Sequence, residues 1–107
     1  METKTVPTTE VAWEPLTAFP GEGRVKVLRD EGGAKARTLL IRIEAGGEII
    51  AHAHEAAVQH YILEGQYESE GQTYHAGTYR LLPGHENVAP ISTQTGTTIL
   101  MIYDPVR

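Results

Sequence analysis

The residues of this chain that can do chemistry are gathered in one stretch. All five histidines lie between positions 52 and 85, and His52, His54 and His60 fall within nine residues of one another. His52 and His54 sit two apart in the run EIIAHAH, which reads as extended chain. Side chains alternate along a strand, so both imidazoles point to one face. Two imidazoles on one face can offer two nitrogen ligands to a divalent metal. They can equally hydrogen-bond each other and the backbone in a purely structural role. Glu55 follows His54 directly and is the carboxylate best placed for general-base work. Glu64 precedes Gly65 and reads as a solvated residue at a turn. No Ser–His–Asp arrangement and no glycine-rich phosphate loop is readable. Cysteine is absent, which excludes disulfides, a thiol nucleophile and cysteine-ligated metal.

The elements that must position these histidines read as short strands parted by glycine. VKVLRD closes at Glu31-Gly32-Gly33, and ARTLLIRIE alternates through Leu39, Ile41 and Ile43 before Gly46-Gly47. After the histidine run, VQHYILEG reads as a strand ending at Gly65, QYESEGQTYHAG as a hairpin turning near Ser69 to Gly71, and TYRLLPG as a strand stopped by Pro83-Gly84. TTILMIYD is a β-branched run ended by Pro105. No window carries a sustained helical period, so a β-sandwich or barrel is expected. Residues 1–20 read as an extended arm, with Trp13 placed either at a barrel mouth or in a dimer contact. Tyr61, Tyr67, Tyr74 and Tyr79 read as half-buried strand aromatics. Of Tyr79 and Arg80 only one can face the interior. An inward Arg80 could hold a substrate carboxylate by a bidentate contact; the expectation is that Arg80 faces solvent. Arg42 poses the same choice.

Length and charge narrow the function classes. A chain of 107 residues fits one domain. With 14 acidic and 9 basic side chains its net charge is −5, and its basic residues are scattered, which argues against nucleic acid. The short basic stretch from Arg24 to Arg29 alternates with apolar residues and reads as a solvated strand face. No apolar run approaches the roughly 20 residues that span a bilayer. The first residues lack a signal-peptide pattern, so no membrane partner and a cytoplasmic location are expected.

The stretch from Gly46 to Gly65, GGEIIAHAHEAAVQHYILEG, resembles the first motif of the cupin superfamily, with Gly46, His52, His54 and Gly65 at the motif's spacings. GTYRLLPGHENVAP resembles the second motif through Gly77 and Pro83. The segment near Trp13 and the compact hairpin between Gly65 and Gly77 resemble the small cupins attached to anti-sigma factors. The resemblance covers roughly residues 35–104. It implies an all-β double-stranded β-helix, a jelly-roll barrel with a metal site in its mouth, in a single domain spanning residues 1–107. It further implies a homodimer and a small-molecule ligand.

The family site uses both histidines of the first motif, a glutamate of that motif and a histidine of the second. His52 and His54 carry over. The glutamate slot falls on Val58 and the second histidine slot on Val88. Gln59 could substitute through its amide oxygen if a bulge near Ala56 to Val58 turned it inward. His60, two residues beyond Val58, faces inward by simple alternation. The two compete, because neighbours on a strand face opposite ways. His85 and Asn87 lie near the missing second-motif ligand, with His85 expected in a turn at the rim; His75 reads as surface. Three imidazoles, or two and an amide oxygen, suit zinc, nickel, iron, copper or manganese, unless the metal has been lost.

Two functions stay open on these residues. One is a metal-dependent enzyme of the dioxygenase, isomerase or lyase type, acting on a small oxygenated organic substrate. The other is a non-catalytic module that senses a small ligand or metal. The retained histidine pair favours the first, and the two valines favour the second.

Overall fold

A computed structural model describes residues 2–17, 22–33, 35–50, 52–53, 56–85 and 87–105; at His52, Ala53 and Asn87 only the backbone is described. The described chain is all-β apart from a 3-10 turn at Thr8–Glu10. Eleven strands follow in order: β1 (Glu14–Pro15), β2 (Arg24–Asp30), β3 (Arg37–Ile43), β4 (Glu48–Ile49), β5 (His52–Ala53), β6 (Val58–Ser69), β7 (Gln72–His75), β8 (Tyr79–Leu82), β9 (Asn87–Val88), β10 (Ile91–Ser92) and β11 (Thr97–Tyr103). All pairings are antiparallel. One curled sheet runs β1-β2-β3-β11-β6-β10-β4, with β7 and β8 also paired to β6, and β5 pairs with β9 in a small second sheet. This is a double-stranded β-helix. No helix among the described residues is long and apolar enough to cross a membrane.

The long strand β6 belongs to both halves of the barrel. Its first part pairs with β11 and β8, its second with β7 and β10. Gly65, expected as the strand's end, lies inside it with φ 70°. A side chain there is impossible without movement, since an added Cβ would stand 2.0 Å from the Gly96 carbonyl oxygen. Next to it, Leu63 has no partner on β11, because Thr98 pairs with Glu64 and Ile99 with Ile62. This bulge reverses the alternation. Val58, His60 and Ile62 face inward before it, and Tyr67 and Ser69 face inward after it. The hairpin into β7 turns at Glu70 (φ 53°) and Gly71 (φ 77°), as the glycine signal predicts.

The core is the apolar inner face of this barrel. Ile41, Ile43, Ile62, Ile99 and Val58 are fully buried, and Leu16 joins them from the segment after β1. The arm-proximal segment also corrects the expected solvated face of β2. Lys26 is buried there, donates to the Thr8 carbonyl at 2.6 Å, and lies 4.8 Å from the centre of the Trp13 ring. Trp13 covers β2 rather than the barrel interior, with Arg24 also 5.4 Å from the ring centre.

Candidate functional site in the barrel

The inward positions of β6 and β8 carry the polar side chains of the interior. Alternation with Val58 and Ile62 puts His60 on the inner face, where it is 2% exposed. Its Cα pairs with Met101 on one side and with Arg80 on the other. The β6 bulge brings Tyr67 to the same face, and its hydroxyl lies 3.1 Å from His60 Nδ1. Arg80 Nη1 donates to that hydroxyl at 2.9 Å. The guanidinium carbon stands 4.2 Å from the Tyr74 ring centre, and the Tyr67 and Tyr74 rings are 5.6 Å apart. Burial raises the Tyr67 pKa above its ordinary value, with the Arg80 hydrogen bond and charge opposing the rise. Tyr67 is therefore a neutral hydroxyl at ordinary pH. It accepts from Arg80, and it donates to or accepts from His60 Nδ1 according to the imidazole tautomer.

The register decides which of the competing residues turns inward. Val58, Gln59 and His60 pair regularly with Tyr103, Ile102 and Met101, and no bulge occurs there. Gln59 accordingly faces outward, where the Tyr79 hydroxyl donates to its Oε1 at 2.9 Å. Arg80 is inside and Tyr79 outside, which corrects the expectation of a solvated Arg80. Tyr67, expected half-buried, is wholly buried because of the bulge. Arg42 lies on the outer face, donating to Thr98 Oγ1 at 3.1 Å and pairing with Glu44. Arg24 also pairs with Glu44, and the two guanidinium hydrogen bonds hold that carboxyl below its usual pKa.

The backbone of β5 sets His52 directly opposite Val88 on β9, so the two motif strands meet as the family pattern requires. The side chain of His52, and all of His54 and Glu55, lie outside the described residues. Val58 is fully buried in the core and Val88 is 8% exposed. The positions of the missing glutamate and histidine are thus filled by buried aliphatic side chains. Among the described residues no cluster of three or more histidine, aspartate or glutamate side chains could hold a metal. His85 is exposed in a turn with φ 62°, and His75 is exposed at the end of β7. Beside Arg80, a cleft of about 290 Å³ opens between β8 and β9, bordered by Ser69, Leu82 and Val88.

A family model for the ChrR cupin-like domain matches residues 1–107. The chain belongs to this cupin family. No curated protein sequence matches it. Among solved structures, this cupin is similar to the polyketide cyclase RemF from Streptomyces resistomycificus, with a TM-score of 0.81 at 21% identity, covering 99% of this chain and 81% of that one. An acetylacetone dioxygenase from Acinetobacter johnsonii gives 0.77 at 16% identity, covering 96% and 73%. The complex of Rhodobacter sphaeroides SigE with the anti-sigma ChrR gives 0.71 at 20% identity, covering 92% of this chain and 52% of that one. These likenesses are of fold; the same barrel serves a cyclase, a dioxygenase and an anti-sigma complex.

Proposed function

We propose that this cupin domain binds a small oxygenated organic ligand at a divalent metal held by His52, His54 and His60. The observation that carries the reading is His60: a buried imidazole on the inner face of β6, oriented through Nδ1 by the Tyr67 hydroxyl. Metal-ligating histidines characteristically hold their second ring nitrogen in this way. Ligation would run through Nε2, with Nδ1 carrying the proton and donating to the Tyr67 oxygen. The donor set is three neutral imidazoles, which suits zinc, nickel, copper or Fe(II). With no carboxylate ligand, an ion held by these imidazoles would keep its full charge and would supply Lewis-acid polarisation of an oxygen ligand. Gln59 is left out of the set because its amide faces away from the barrel.

A dioxygenase, isomerase or lyase reaction needs a proton-transfer group in addition, for which Glu55 is the candidate. The sensing reading draws on a different observation. Val58 and Val88 are both buried where a carboxylate and an imidazole complete the family site. A site short of those ligands holds its metal less tightly and exchanges it, as a sensor requires.

The test is elemental analysis of tag-free protein beside the double variant His52→Ala/His54→Ala. Near-stoichiometric metal in the parent, lost in the variant, supports the site. Absence of metal after incubation with Fe(II), nickel and zinc overturns it. Turnover of small oxygenated substrates by the loaded protein separates the enzyme from the sensor.

The expected homodimer belongs to the same reading. On the outer face of β6 and β8, Tyr61, Leu63, Tyr79 and Leu81 are each 41% to 58% exposed, and Tyr61 pairs with Tyr79. An apolar patch of this kind marks an interaction surface. A second copy of the chain is its proposed occupant, since β8 pairs with β6 alone among the described strands and leaves an edge.

A further inference from the structure

We propose that Arg80 is the anchor of a carboxylate-binding subsite, so that the cleft between β8 and β9 takes a small monocarboxylic acid. The inference deepens the small-ligand reading above and is independent of whether a metal is present.

Arg80 is half-buried and forms no ion pair among the described residues. The ion pairs of the described residues are those of Arg24, Arg29 and Arg42, and none involves Arg80. Its contacts are the Tyr67 hydroxyl at 2.9 Å and the faces of Tyr74 and Tyr67, whose ring centres lie 4.2 and 5.8 Å from the guanidinium carbon. Withdrawing a guanidinium from water without an anion is costly, and ring contacts return only part of that. The residue is nonetheless held firmly by its stack on Tyr74 and its bond to Tyr67. A guanidinium carries five N–H donors in a planar fork. One is used on Tyr67, which leaves donors enough for a bidentate carboxylate.

The space for that carboxylate adjoins the arginine. Arg80 borders the cleft of about 290 Å³, which is lined by apolar residues of β8 and β9, Leu81 and Val88 among them, and by the polar Ser69 and Glu70. Glu70 stands at the same cleft, exposed on the hairpin turn. A second anionic group at that end would be repelled. The lining therefore selects one carboxylate at Arg80 and an apolar tail along β8 and β9, in preference to a dicarboxylate.

The probes are benzoate and butyrate, with benzamide as the neutral counterpart. Binding is read by chemical-shift titration and calorimetry on metal-free and metal-loaded protein. Benzoate is expected to bind the parent and benzamide to bind at least about tenfold more weakly, as loss of a charge-assisted hydrogen bond implies. Arg80→Met should cost benzoate tenfold or more, and Arg80→Lys, which keeps the charge without the fork, should fall between. Circular dichroism of both variants establishes that the barrel is intact. Benzoate binding equally well to Arg80→Met, or neither acid binding the parent, overturns the subsite. Metal content separates the two readings. Stoichiometric metal with no carboxylate binding overturns the anchor alone. Arg80-dependent benzoate binding in protein that takes up no metal supports the anchor while the metal reading fails.

Discussion

The Tyr67 hydroxyl and His60 Nδ1 stand 3.1 Å apart, joined across a bulge within a single strand. Tyr67→Phe removes this contact and the Arg80 acceptor together while keeping the ring packed on Tyr74. Loss of such an orienting partner characteristically costs about 10- to 100-fold in metal affinity. A competition titration with a chromophoric chelator should show that loss, and the metal-free protein should also unfold at a lower temperature, because buried His60 and Arg80 lose this partner. Unchanged metal affinity would mean that His60 is not a ligand.

Replacing the two valines should rebuild a fuller site. Val88 lies opposite His52 across β5 and β9, and Val58 begins the inward series of β6. Val58→Glu with Val88→His is expected to raise metal affinity at least about tenfold, since each adds a ligand of the family type. Metal-free, the variant should be less stable by several kcal/mol, roughly, because an unpaired carboxyl replaces a fully buried valine. Metal should restore much of that loss, read as a large shift in the unfolding midpoint.

Gly65 is the hinge that lets β6 serve both halves of the barrel. Its φ of 70° and the 2.0 Å approach of an added Cβ to the Gly96 carbonyl oxygen leave no relaxed place for alanine. Gly65→Ala should destabilise the domain by at least about 2 kcal/mol in urea unfolding. Gly71→Ala, with positive φ but nothing within 4 Å, should cost less. Equal costs would show that backbone strain, and not the contact with Gly96, decides.

The fold was legible because glycine spacing and β-branched runs report strands directly, and the Gly46 to Gly65 pattern named the barrel. The inward turn of His60 followed from simple alternation relative to Val58. The polar cluster around it did not follow, because Tyr67 reaches the interior only through the bulge at Leu63. A bulge is set by pairing between β6 and β11, and no residue of β6 alone announces it. The inward turn of Arg80 is hidden from the sequence for a related reason. An isolated charged residue on a strand favours solvent, and its partners, buried Tyr67 and half-buried Tyr74, come from strands remote in the alternation count. Lys26 shows the same limit: its cover comes from Thr8 and Trp13, across the barrel's edge strand.

The exposed face of β6 and β8 should set the oligomeric state. Leu81→Glu places a charge at the most exposed of the four apolar residues, at 58%. Sedimentation velocity should show a dimer for the parent and a monomer for the variant, with circular dichroism unchanged. A monomeric parent at micromolar concentration would remove the second copy as the occupant of this face.

Alkaline pH should unfold the domain through its buried tyrosines. Burial raises the pKa of Tyr67, against the hydrogen bond and charge of Arg80, and raises that of Tyr103 more strongly, against the charge of Arg37, whose guanidinium carbon is 4.4 Å from the Tyr103 ring centre. Both groups keep their protons in the folded state at a pH where the unfolded chain, with tyrosine near 10, begins to lose them. The unfolded state then binds fewer protons, so stability falls as pH rises. The contribution is fully present below about pH 10 and is lost above it, by up to about 1.4 kcal/mol per pH unit for each tyrosine. Urea midpoints measured from neutral pH into the alkaline range should be flat at first and then decline. Tyr103→Phe removes the more strongly shifted group and should make the decline shallower. An equally steep decline in Tyr103→Phe would assign alkaline unfolding to other groups.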